Sequence, residues 1–428
     1  MTDKFNLKNI KFNSENIAGA VKAPVSKSIA HRALICAALA NGGMSCIYGI
    51  DSGSDLSEDI KATIGALRAM GCDIDLLQDK INVCGGVKNN KIKINCGESA
   101  STLRFLIPVV AALGIEASFT GEGNLPERPV QLYQNLLADK GVSINLQDGK
   151  LPLTVSGKLT AGKFYVPGDI TSQFITGLLF ALPMLDGDSE IILTSPLESE
   201  PYVNITINVL KIFGIEIIRK TSGIYYINGN QRYLNTAYSV EGDFSQAAFF
   251  LSAAAINGEI AVHHLNSVSP QGDYKIIELL GLFGAKIYFD GDVLYASKGE
   301  LHGINIDAKN IPDLVPVLSV VAAYAEGETV IYNAGRLRFK ESDRLHAIYE
   351  MLTAIGADVK EKETGDGLII NGKSKLRGGS VKSFGDHRIA MSAAIASIGT
   401  EAGIIIDDMN CISKSYPAFL DDFLALIK

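Results

Sequence analysis

Apolar residues recur along the chain in runs that open on small polar residues and close on a glycine. The clearest run is residues 97–114, GESASTLRFLIPVVAALG, whose apolar positions fall on one face of a helix. Hydroxyls at Ser99 and Ser101 suit an N-cap, and Gly114 suits a C-cap. The pattern predicts an α-helix that carries its polar residues at its N terminus.

The same design recurs at residues 26–42, 169–187, 243–258, 313–327 and 386–399. The closing glycines lie about 70 residues apart, a spacing typical of repeated supersecondary units. A second glycine series keeps a similar spacing, and each of its members ends a helix-like segment and precedes a β-branched run: Gly71, Gly141, Gly214, Gly284 and Gly356. We therefore expect six repeats, each with two helices and several strands.

The last repeat is incomplete, because the C-terminal YPAFLDDFLALIK supplies its second helix but leaves no residues for a following strand. The N-terminal LKNIKFN alternates as a strand does, so we expect it to complete this repeat. Six repeats divide naturally into two domains of three. The expected domains are 22–239, and 1–21 together with 240–428.

Composition narrows the class of protein. The chain has 428 residues, 47% of them apolar, and a formal net charge of -8, which argues against a nucleic-acid surface. Its longest apolar stretches are too short to span a bilayer, and its first residues lack the features of a signal peptide, so we expect a cytoplasmic protein without a membrane partner. The six cysteines form no CxxC pairs, which predicts reduced, mostly buried thiols and no metal site.

Cations stand near several of the helix openings: Lys27, Arg32, Arg104, Arg128 and Arg388. Helix N termini favour anions, arginine suits bidentate binding of carboxylate or phosphate, and lysine suits a point contact. The mixture predicts small phosphorylated acids as ligands. The alternative is that each cation is a solvated surface residue.

The motifs that carry these cations occur together in one order: PVSKSIAHRA, ESASTLRFLIP, GEGNLPERPV, DITSQF, SEPY, IPD, FKESDRL, GDHRIAM and ISKSYP. Across Lys22 to Pro417 the chain resembles the 5-enolpyruvylshikimate-3-phosphate synthase family. The resemblance implies an α/β (α+β) fold of two pseudo-threefold domains, each built from three βαβαββ repeats in an inside-out α/β barrel. This agrees with the six repeats.

The resemblance also implies an activity. Members transfer the enolpyruvyl group from phosphoenolpyruvate to the 5-hydroxyl of shikimate 3-phosphate and release phosphate, on the pathway to chorismate and the aromatic amino acids. The hydroxyl adds to C2 and a proton to C3, and phosphate is then eliminated, so the site needs a base, an acid and anion-binding cations. No metal or organic cofactor is implied, and a monomer is the default.

By the motif match, Asp313 would accept the hydroxyl proton, while Glu341 and Lys27 would handle proton transfer at C3 and phosphate departure. Simpler interpretations exist for two of them. Asp313 also suits an N-cap of the fifth repeated helix, and Glu341 could face solvent.

The resemblance assigns further residues to each substrate. Those implied for phosphoenolpyruvate are Lys27, Ala100, Arg128, Arg344, Arg388 and Lys414. Those implied for shikimate 3-phosphate are Lys27, Ser28, Arg32, Thr171, Ser172, Gln173, Ser199, Tyr202, Asp313 and Lys340. Thr171 and Ser172 could also be helix caps, and the two roles are compatible.

The chain departs from the common family pattern at Glu98, Ala100, His31 and Arg336. Ala100 stands where glycine is usual, and its methyl group would crowd glyphosate more than the shorter phosphoenolpyruvate, which predicts glyphosate tolerance. Arg336 could contact the substrate phosphate. The nearest rival is the enolpyruvyl transferase that acts on UDP-N-acetylglucosamine, but the loop GEGNLPERPV lacks the cysteine usual there. A non-catalytic anion-binding protein is the rival from another class.

Overall fold

The computed structural model describes residues 7–50, 56–373 and 375–428. The chain forms two compact units. One is residues 27–240, the 27–240 unit; the other is residues 241–428 with the N-terminal segment up to Ser26, the 241–428 unit. No helix in the described ranges is both long and apolar enough to cross a membrane.

Two strands, β1 (Lys8–Phe12) and β2 (Ile17–Lys22), precede the 27–240 unit. The described α-helices of that unit are α1 (Lys27–Leu39), α2 (Glu58–Ala69), α3 (Ala100–Leu113), α4 (Gln131–Ala138), α5 (Ser172–Ala181) and α6 (Glu200–Ile212). Its described strands are β3 (Met44–Tyr48), β4 (Asp73–Leu76), β5 (Lys80–Cys84), β6 (Lys91–Asn95), β7 (Glu116–Thr120), β8 (Val142–Gln147), β9 (Lys150–Gly157), β10 (Lys163–Val166), β11 (Ser189–Leu193), β12 (Ile218–Thr221), β13 (Ile224–Ile227) and β14 (Ala237–Ser239).

These strands form sheets with the orders β14-β3-β5-β4, β6-β7-β9-β8 and β10-β11-β13-β12. In every one of them the first pair is parallel and the other two pairs are antiparallel. The parallel pairs β6–β7 and β10–β11 are connected across a helix, α3 or α5, whereas the consecutive antiparallel pairs β4–β5, β8–β9 and β12–β13 need only a turn. The three sheets therefore share one pattern, as expected for repeats.

The 241–428 unit repeats the design. Its α-helices are α7 (Phe244–Asn257), α8 (Ile276–Phe283), α9 (Val315–Tyr324), α10 (Arg344–Ala354), α11 (His387–Ala396) and α12 (Phe419–Leu426). Its remaining strands are β15 (Gly258–His263), β16 (Lys286–Asp290), β17 (Val293–Ser297), β18 (Asn305–Asp307), β19 (Gly327–Tyr332), β20 (Asp358–Glu361), β21 (Leu368–Gly372), β22 (Gly379–Val381) and β23 (Ile404–Asp408). The sheet orders are β16-β17-β15-β2, β18-β19-β21-β20 and β1-β23-β22.

The N-terminal strand completes the last repeat, as the alternation in LKNIKFN predicted. Strand β1 pairs antiparallel with β23, where Lys8 lies opposite Asp408 and Phe12 opposite Ile404. The backbone N–H of Lys428 donates to the carbonyl of Asn16, so the last residue is bonded to the segment between β1 and β2.

Helices α7, α9 and α11, the inner helices of the 241–428 unit, are buried on all sides, and most of their residues are therefore apolar. Helix α7 is buried from Phe244 to Ile256, and α7, α9 and α11 pack against one another. The predicted helix near residue 100 is α3, which Ser99 caps through a bond from the Thr102 N–H and which ends on Gly114 with φ 70°. The expected fold class, βαβαββ repeats in groups of three, is confirmed by this architecture.

The six cysteines are free thiols, and they are less uniformly buried than expected. Cys36, Cys72 and Cys96 are buried, while Cys84 is exposed and the other two are half-buried. No cluster of His, Cys, Asp and Glu that could hold a metal ion occurs in residues 7–50, 56–373 and 375–428.

Candidate active site

Arg344 is the first residue of α10 and is 1% exposed, and its guanidinium is surrounded by carboxylates. Its Nη1 donates to Asp313 Oδ1 at 2.8 Å, and its Nη2 donates to Glu341 Oε2 at 2.6 Å. Its Nε donates to Asp386 Oδ2 at 2.8 Å. These carboxylates hold the pKa of Arg344 above its ordinary value although burial lowers it. The guanidinium is thus a fixed positive centre inside the 241–428 unit.

The Asp313 carboxylate lies among three cations. Arg388 Nη2 donates to its Oδ2 at 3.1 Å, Arg344 bonds its Oδ1, and Lys340 Nζ is 3.5 Å from Oδ1. Burial would raise the pKa of Asp313, but Arg388, Lys340 and Arg344 outweigh it and hold the pKa well below its ordinary value. The N-cap of α9 is Leu314, which makes no side-chain capping bond. The simple capping role considered for Asp313 therefore does not describe its position.

Glu341 and Lys340 flank this cluster on the turn before α10. The Glu341 side chain is 15% exposed and bonded to Arg344, so it does not face solvent as the alternative interpretation had it. Burial lowers the pKa of Lys340 to about 8, although Asp313 raises it. Lys340 is therefore close to the range in which an amine can exchange its proton near neutral pH.

Helix α11 places Arg388 in the cluster. Asp386 caps this helix by accepting from the Arg388 N–H at 2.9 Å, and it is fully buried. The Arg388 Nη1 also donates to the Asp313 backbone carbonyl at 3.2 Å. Lys414 ends a short 3-10 turn, Asn410–Lys414, that packs against α11, and it is 7% exposed. The 241–428 unit thus brings Asp313, Arg344 and Arg388 into direct contact.

In the 27–240 unit, Lys27 begins α1 and donates to Asp59 Oδ2 on α2 at 2.7 Å. The two side chains are 19% and 11% exposed. Asp59 was not among the residues implied by the motifs. Its signal in the sequence is a carboxylate on the buried face of α2, beside Ile60 and Thr63.

Arg32 links two other residues assigned to shikimate 3-phosphate. Its Nη1 donates to the Ser28 carbonyl at 2.6 Å and its Nη2 to the Tyr202 carbonyl at 3.1 Å, while Nε donates to Thr206 Oγ1 at 2.7 Å. All three acceptors are neutral oxygens. Burial lowers the pKa of Arg32 to about 10, so it remains charged at neutral pH.

Arg104, on α3, connects Gln173 with the segment that follows Arg128. Its Nη1 donates to Gln173 Oε1 at 2.6 Å and its Nη2 to the Pro129 carbonyl at 3.0 Å. Gln173 Nε2 donates to Ser101 Oγ at 3.0 Å. Arg104 is 3% exposed, and we interpret it as the residue that orients Gln173.

The openings of α5 and α6 carry the remaining assigned hydroxyls. Thr171 caps α5 by accepting from the Gln173 N–H at 3.3 Å, so the capping role holds, and Ser172 begins the helix. Ser199 precedes α6 with φ 54° and makes no side-chain capping bond. A serine in this left-handed region is strained, and such residues cluster at functional sites.

Comparison with known proteins assigns the family. The profile of EPSP synthase (3-phosphoshikimate 1-carboxyvinyltransferase) matches residues 12–423. The chain belongs to the EPSP synthase family. It is 45% identical over 431 residues to the 3-phosphoshikimate 1-carboxyvinyltransferase of Clostridioides difficile, covering 98% of this chain and 97% of that protein. It is 47% identical over 423 residues to the protein of the same name from Clostridium acetobutylicum, covering 97% of each.

Similarity to solved structures supports the assignment to the EPSP synthase family. EPSP synthase from Acinetobacter baumannii superposes with a TM-score of 0.78 at 26% identity, covering 98% of both chains. The enolpyruvyl transferase NikO from Streptomyces tendae has a TM-score of 0.77 at 16% identity over 97% of this chain and 96% of that one, which shows the fold alone. The expected enzyme class, a transferase of the shikimate pathway, is confirmed with the family.

Four positions were expected to depart from the family pattern, and the structure shows the surroundings of three of them as follows. Ala100 is the first residue of α3 and is 5% exposed. A Cβ placed on Gly123, whose φ is 55°, would lie 2.5 Å from Glu98 Cδ, so the Glu98 side chain packs against that loop. Arg336 Nη2 donates to the Lys309 carbonyl, a contact that the sequence did not indicate.

Proposed function

We propose that the two units perform different parts of the enolpyruvyl transfer. Asp313 and Glu341, which with Arg344 form the ionic cluster, would transfer protons. The cations of the 27–240 unit would chiefly bind phosphate groups, and one of them, Lys27, is also a candidate for proton transfer at C3. The observation that supports this most is the Asp313 carboxylate, which occupies a ready-made anion site between Arg344 and Arg388.

Shikimate 3-phosphate would be bound through neutral hydroxyls and cations. The hydrogen-bond acceptors of Arg32 are neutral oxygens that do not offset its charge, so Arg32 can pair with a phosphate or carboxylate. The residues proposed for this substrate are Lys27, Ser28, Arg32, Thr171, Ser172, Gln173, Ser199, Tyr202, Asp313 and Lys340. Hydroxyl and amide groups match the hydroxyls of the ring.

Phosphoenolpyruvate would be bound by five cations, with Ala100 in van der Waals contact. The residues proposed for it are Lys27, Ala100, Arg128, Arg344, Arg388 and Lys414. Its carboxylate has the same chemistry as the Asp313 side chain, so it can take over hydrogen bonds that Arg344 and Arg388 now give to Asp313. Each bond that Asp313 loses raises its proton affinity.

This exchange would convert Asp313 from a weak base into an effective one. A carboxylate held by three cations has little affinity for a proton, and phosphoenolpyruvate would relieve that restraint when it binds. Asp313 would then take the proton of the 5-hydroxyl while the hydroxyl oxygen forms its bond to C2. The base would be fully active only when the second substrate is present.

Glu341 and Lys27 would complete the chemistry. One of them protonates C3 during addition, which gives the tetrahedral intermediate, and a proton is removed from the same carbon when phosphate leaves. Lys27, whose Nζ donates to Asp59, would supply a positive charge for the departing phosphate.

A phosphate-release assay tests this function. Phosphate should appear when phosphoenolpyruvate is combined with shikimate 3-phosphate, and not when UDP-N-acetylglucosamine is the acceptor. Release with the sugar nucleotide alone would support the rival transferase. Release with neither acceptor, despite binding of both anions, would support a non-catalytic binding protein.

We also propose that the enzyme acts as a monomer in the cytoplasm and tolerates glyphosate through Ala100. Its substrates are small molecules, and the repeats need no partner chain to be complete. Light scattering coupled to gel filtration at assay concentrations would test the monomer.

A further inference from the structure

A continuous line of hydrogen bonds crosses the interior of the 27–240 unit. His31 Nδ1 is 2.7 Å from Thr63 Oγ1, which is 2.7 Å from Thr102 Oγ1. Thr102 Oγ1 donates to Ser99 Oγ at 2.8 Å. None of these four residues is more than 1% exposed. Buried polar groups are costly unless they are bonded, so a line of this kind holds its members in fixed relative positions.

The line begins one helical turn from Lys27. On α1, His31 follows Lys27 by four residues, and on α2, Thr63 follows Asp59 by four residues. Residues four apart lie on the same face of a helix. The Lys27–Asp59 ion pair and the His31–Thr63 hydrogen bond are therefore two successive links between the same two helices.

The line ends at the start of α3, directly before Ala100. Ser99 Oγ accepts from both the N–H and the hydroxyl of Thr102. It is therefore both the N-cap of the helix and the last acceptor of the line. The first residue of α3 is Ala100, the position proposed to contact phosphoenolpyruvate. One set of bonds thus joins the two places where the 27–240 unit is proposed to meet that substrate.

The donors of the line all point in one direction. Because the Thr102 hydroxyl donates to Ser99, Thr63 is left to donate to Thr102, and His31 Nδ1–H to donate to Thr63. Burial lowers the pKa of His31 well below its ordinary value, so the ring is neutral, and Nε2 has no hydrogen-bond partner among the described residues. An unpartnered buried acceptor is tolerated better than an unpartnered N–H, which agrees with this tautomer.

We propose that His31, Thr63, Thr102 and Ser99 form a positioning chain that fixes Ala100 relative to Lys27 and thereby sets the affinity for phosphoenolpyruvate. The proposal rests on the proposed assignment of Lys27 and Ala100 to that substrate. Its members touch neither substrate, and they act through the placement of α1 and α3. Lys27 is also proposed for shikimate 3-phosphate, but Ala100 is not, so the distance that the chain fixes between α1 and the start of α3 affects that substrate less.

The experiment replaces Thr63, in the middle of the chain, by valine, which has the same shape but no hydroxyl. The KM for phosphoenolpyruvate should rise about 3- to 10-fold, the size of one lost buried hydrogen bond, while the KM for shikimate 3-phosphate changes by less than about 2-fold. Thr63→Ser restores the hydroxyl and should return the first KM to near the parent value. A purely structural defect would change both constants or lower active enzyme without changing either.

His31→Leu is the second variant, for use if Thr63→Val does not fold. It removes the first donor of the chain together with the unpartnered Nε2, and it should raise the same KM selectively. Equal changes in both KM values, or no change in a folded variant, would overturn the positioning chain. The unaltered enzyme in the same phosphate-release assay tests the proposed function separately, because it either turns over with shikimate 3-phosphate or does not.

Discussion

Helices α3 and α5 of the 27–240 unit begin on hydroxyls, whereas helices α7 and α11 of the 241–428 unit begin on carboxylates. Ser99 and Thr171 cap α3 and α5 through side-chain oxygens. Asp243 and Asp386 cap α7 and α11 in the same manner. Both residue types satisfy the free N–H groups of a helix, but a carboxylate also brings a negative charge. One repeat design therefore yields two different electrostatic environments.

The buried arginines follow the same division. Arg32 donates to neutral oxygens in the 27–240 unit, while Arg344 and Arg388 donate to carboxylates in the 241–428 unit. The charge of an arginine with neutral partners is not offset by those partners, so it can attract an incoming anion. An arginine that is already paired must exchange one carboxylate for another, and the released carboxylate becomes a base. The difference agrees with the proposal that the first unit mainly binds anions and that the second removes the proton of the 5-hydroxyl.

The largest effect on stability should follow removal of the Arg344 charge, with which three buried carboxylates pair. Arg344→Gln would leave Asp313, Glu341 and Asp386 buried without their common cation, so the free energy of unfolding should fall by about 3 to 5 kcal/mol. Urea denaturation would measure it. Arg338→Gln is the matched control, because Arg338 pairs with Asp343 and Glu361 at a more exposed site and should cost less than about 1 kcal/mol. Equal costs would remove the distinction between the ionic cluster and ordinary surface pairs.

A second effect concerns Asp273, a buried carboxyl whose Oδ2 accepts a hydrogen bond from Ser245. Burial, followed by the nearby Asp313, raises the pKa of Asp273 to about 7. The folded state therefore holds a proton that the unfolded chain has lost, so stability falls as the pH rises from about 4 to about 7.

Asp273→Asn is always neutral and should remove this loss. Between pH 5 and pH 8, the parent should lose about 2 to 4 kcal/mol more unfolding free energy than the variant. Urea titrations at the two pH values, with exposed Asp290→Asn as the control, provide the measurement. Parallel pH dependence in parent and Asp273→Asn would show that the carboxyl is ionised at no cost.

The third prediction tests the neutral partners of the 27–240 unit. Arg32→Gln removes the charge but keeps a hydrogen-bonding amide, so the affinity for shikimate 3-phosphate should fall about 100-fold through loss of charge-assisted hydrogen bonds. Calorimetric titration would measure it. Arg219→Gln in the same unit, where the arginine forms a half-exposed pair with Glu200, should leave the affinity unchanged. A small loss at Arg32 would mean that its role is to hold Ser28 and Tyr202.

The smallest expected effect is steric. Ala100→Gly should increase the affinity for glyphosate about 5- to 150-fold, since one methyl group in a packed site costs about 1 to 3 kcal/mol, with a smaller change in the KM for phosphoenolpyruvate. Inhibition curves for parent and variant are the measurement. Ala112→Gly, near the other end of α3, controls for the lower helix propensity of glycine. Equal glyphosate inhibition of the parent and Ala100→Gly would contradict the steric argument.

The repeats and their helix limits could be predicted from the sequence because their signals are local. The run at 97–114 contains its own N-cap, apolar face and closing glycine, and the structure has all three in α3. The place of the N-terminal strand in the last repeat could also be inferred, since an alternating segment was left over at one end and a strand was missing at the other. The structure adds that this strand, β1, pairs with β23.

The partners of the site residues could not be predicted, because they come from distant parts of the chain. Nothing near Lys27 in sequence indicates Asp59, and the bond of Arg344 to Asp386 spans two repeated elements. The choice between a cap and a base for Asp313 depended on where the neighbouring arginines lie. That information exists only once the helices are packed.

The central claim is that Asp313 acts as the base, and that its contact with shikimate 3-phosphate contributes little to the affinity for that substrate. The direct measurement is the turnover of Asp313→Asn at saturating substrates, together with its dissociation constant for shikimate 3-phosphate. The account predicts a fall in turnover of about 100-fold or more, with little change in that dissociation constant. Near-normal turnover would contradict it, and so would a loss of activity explained wholly by weaker binding of shikimate 3-phosphate.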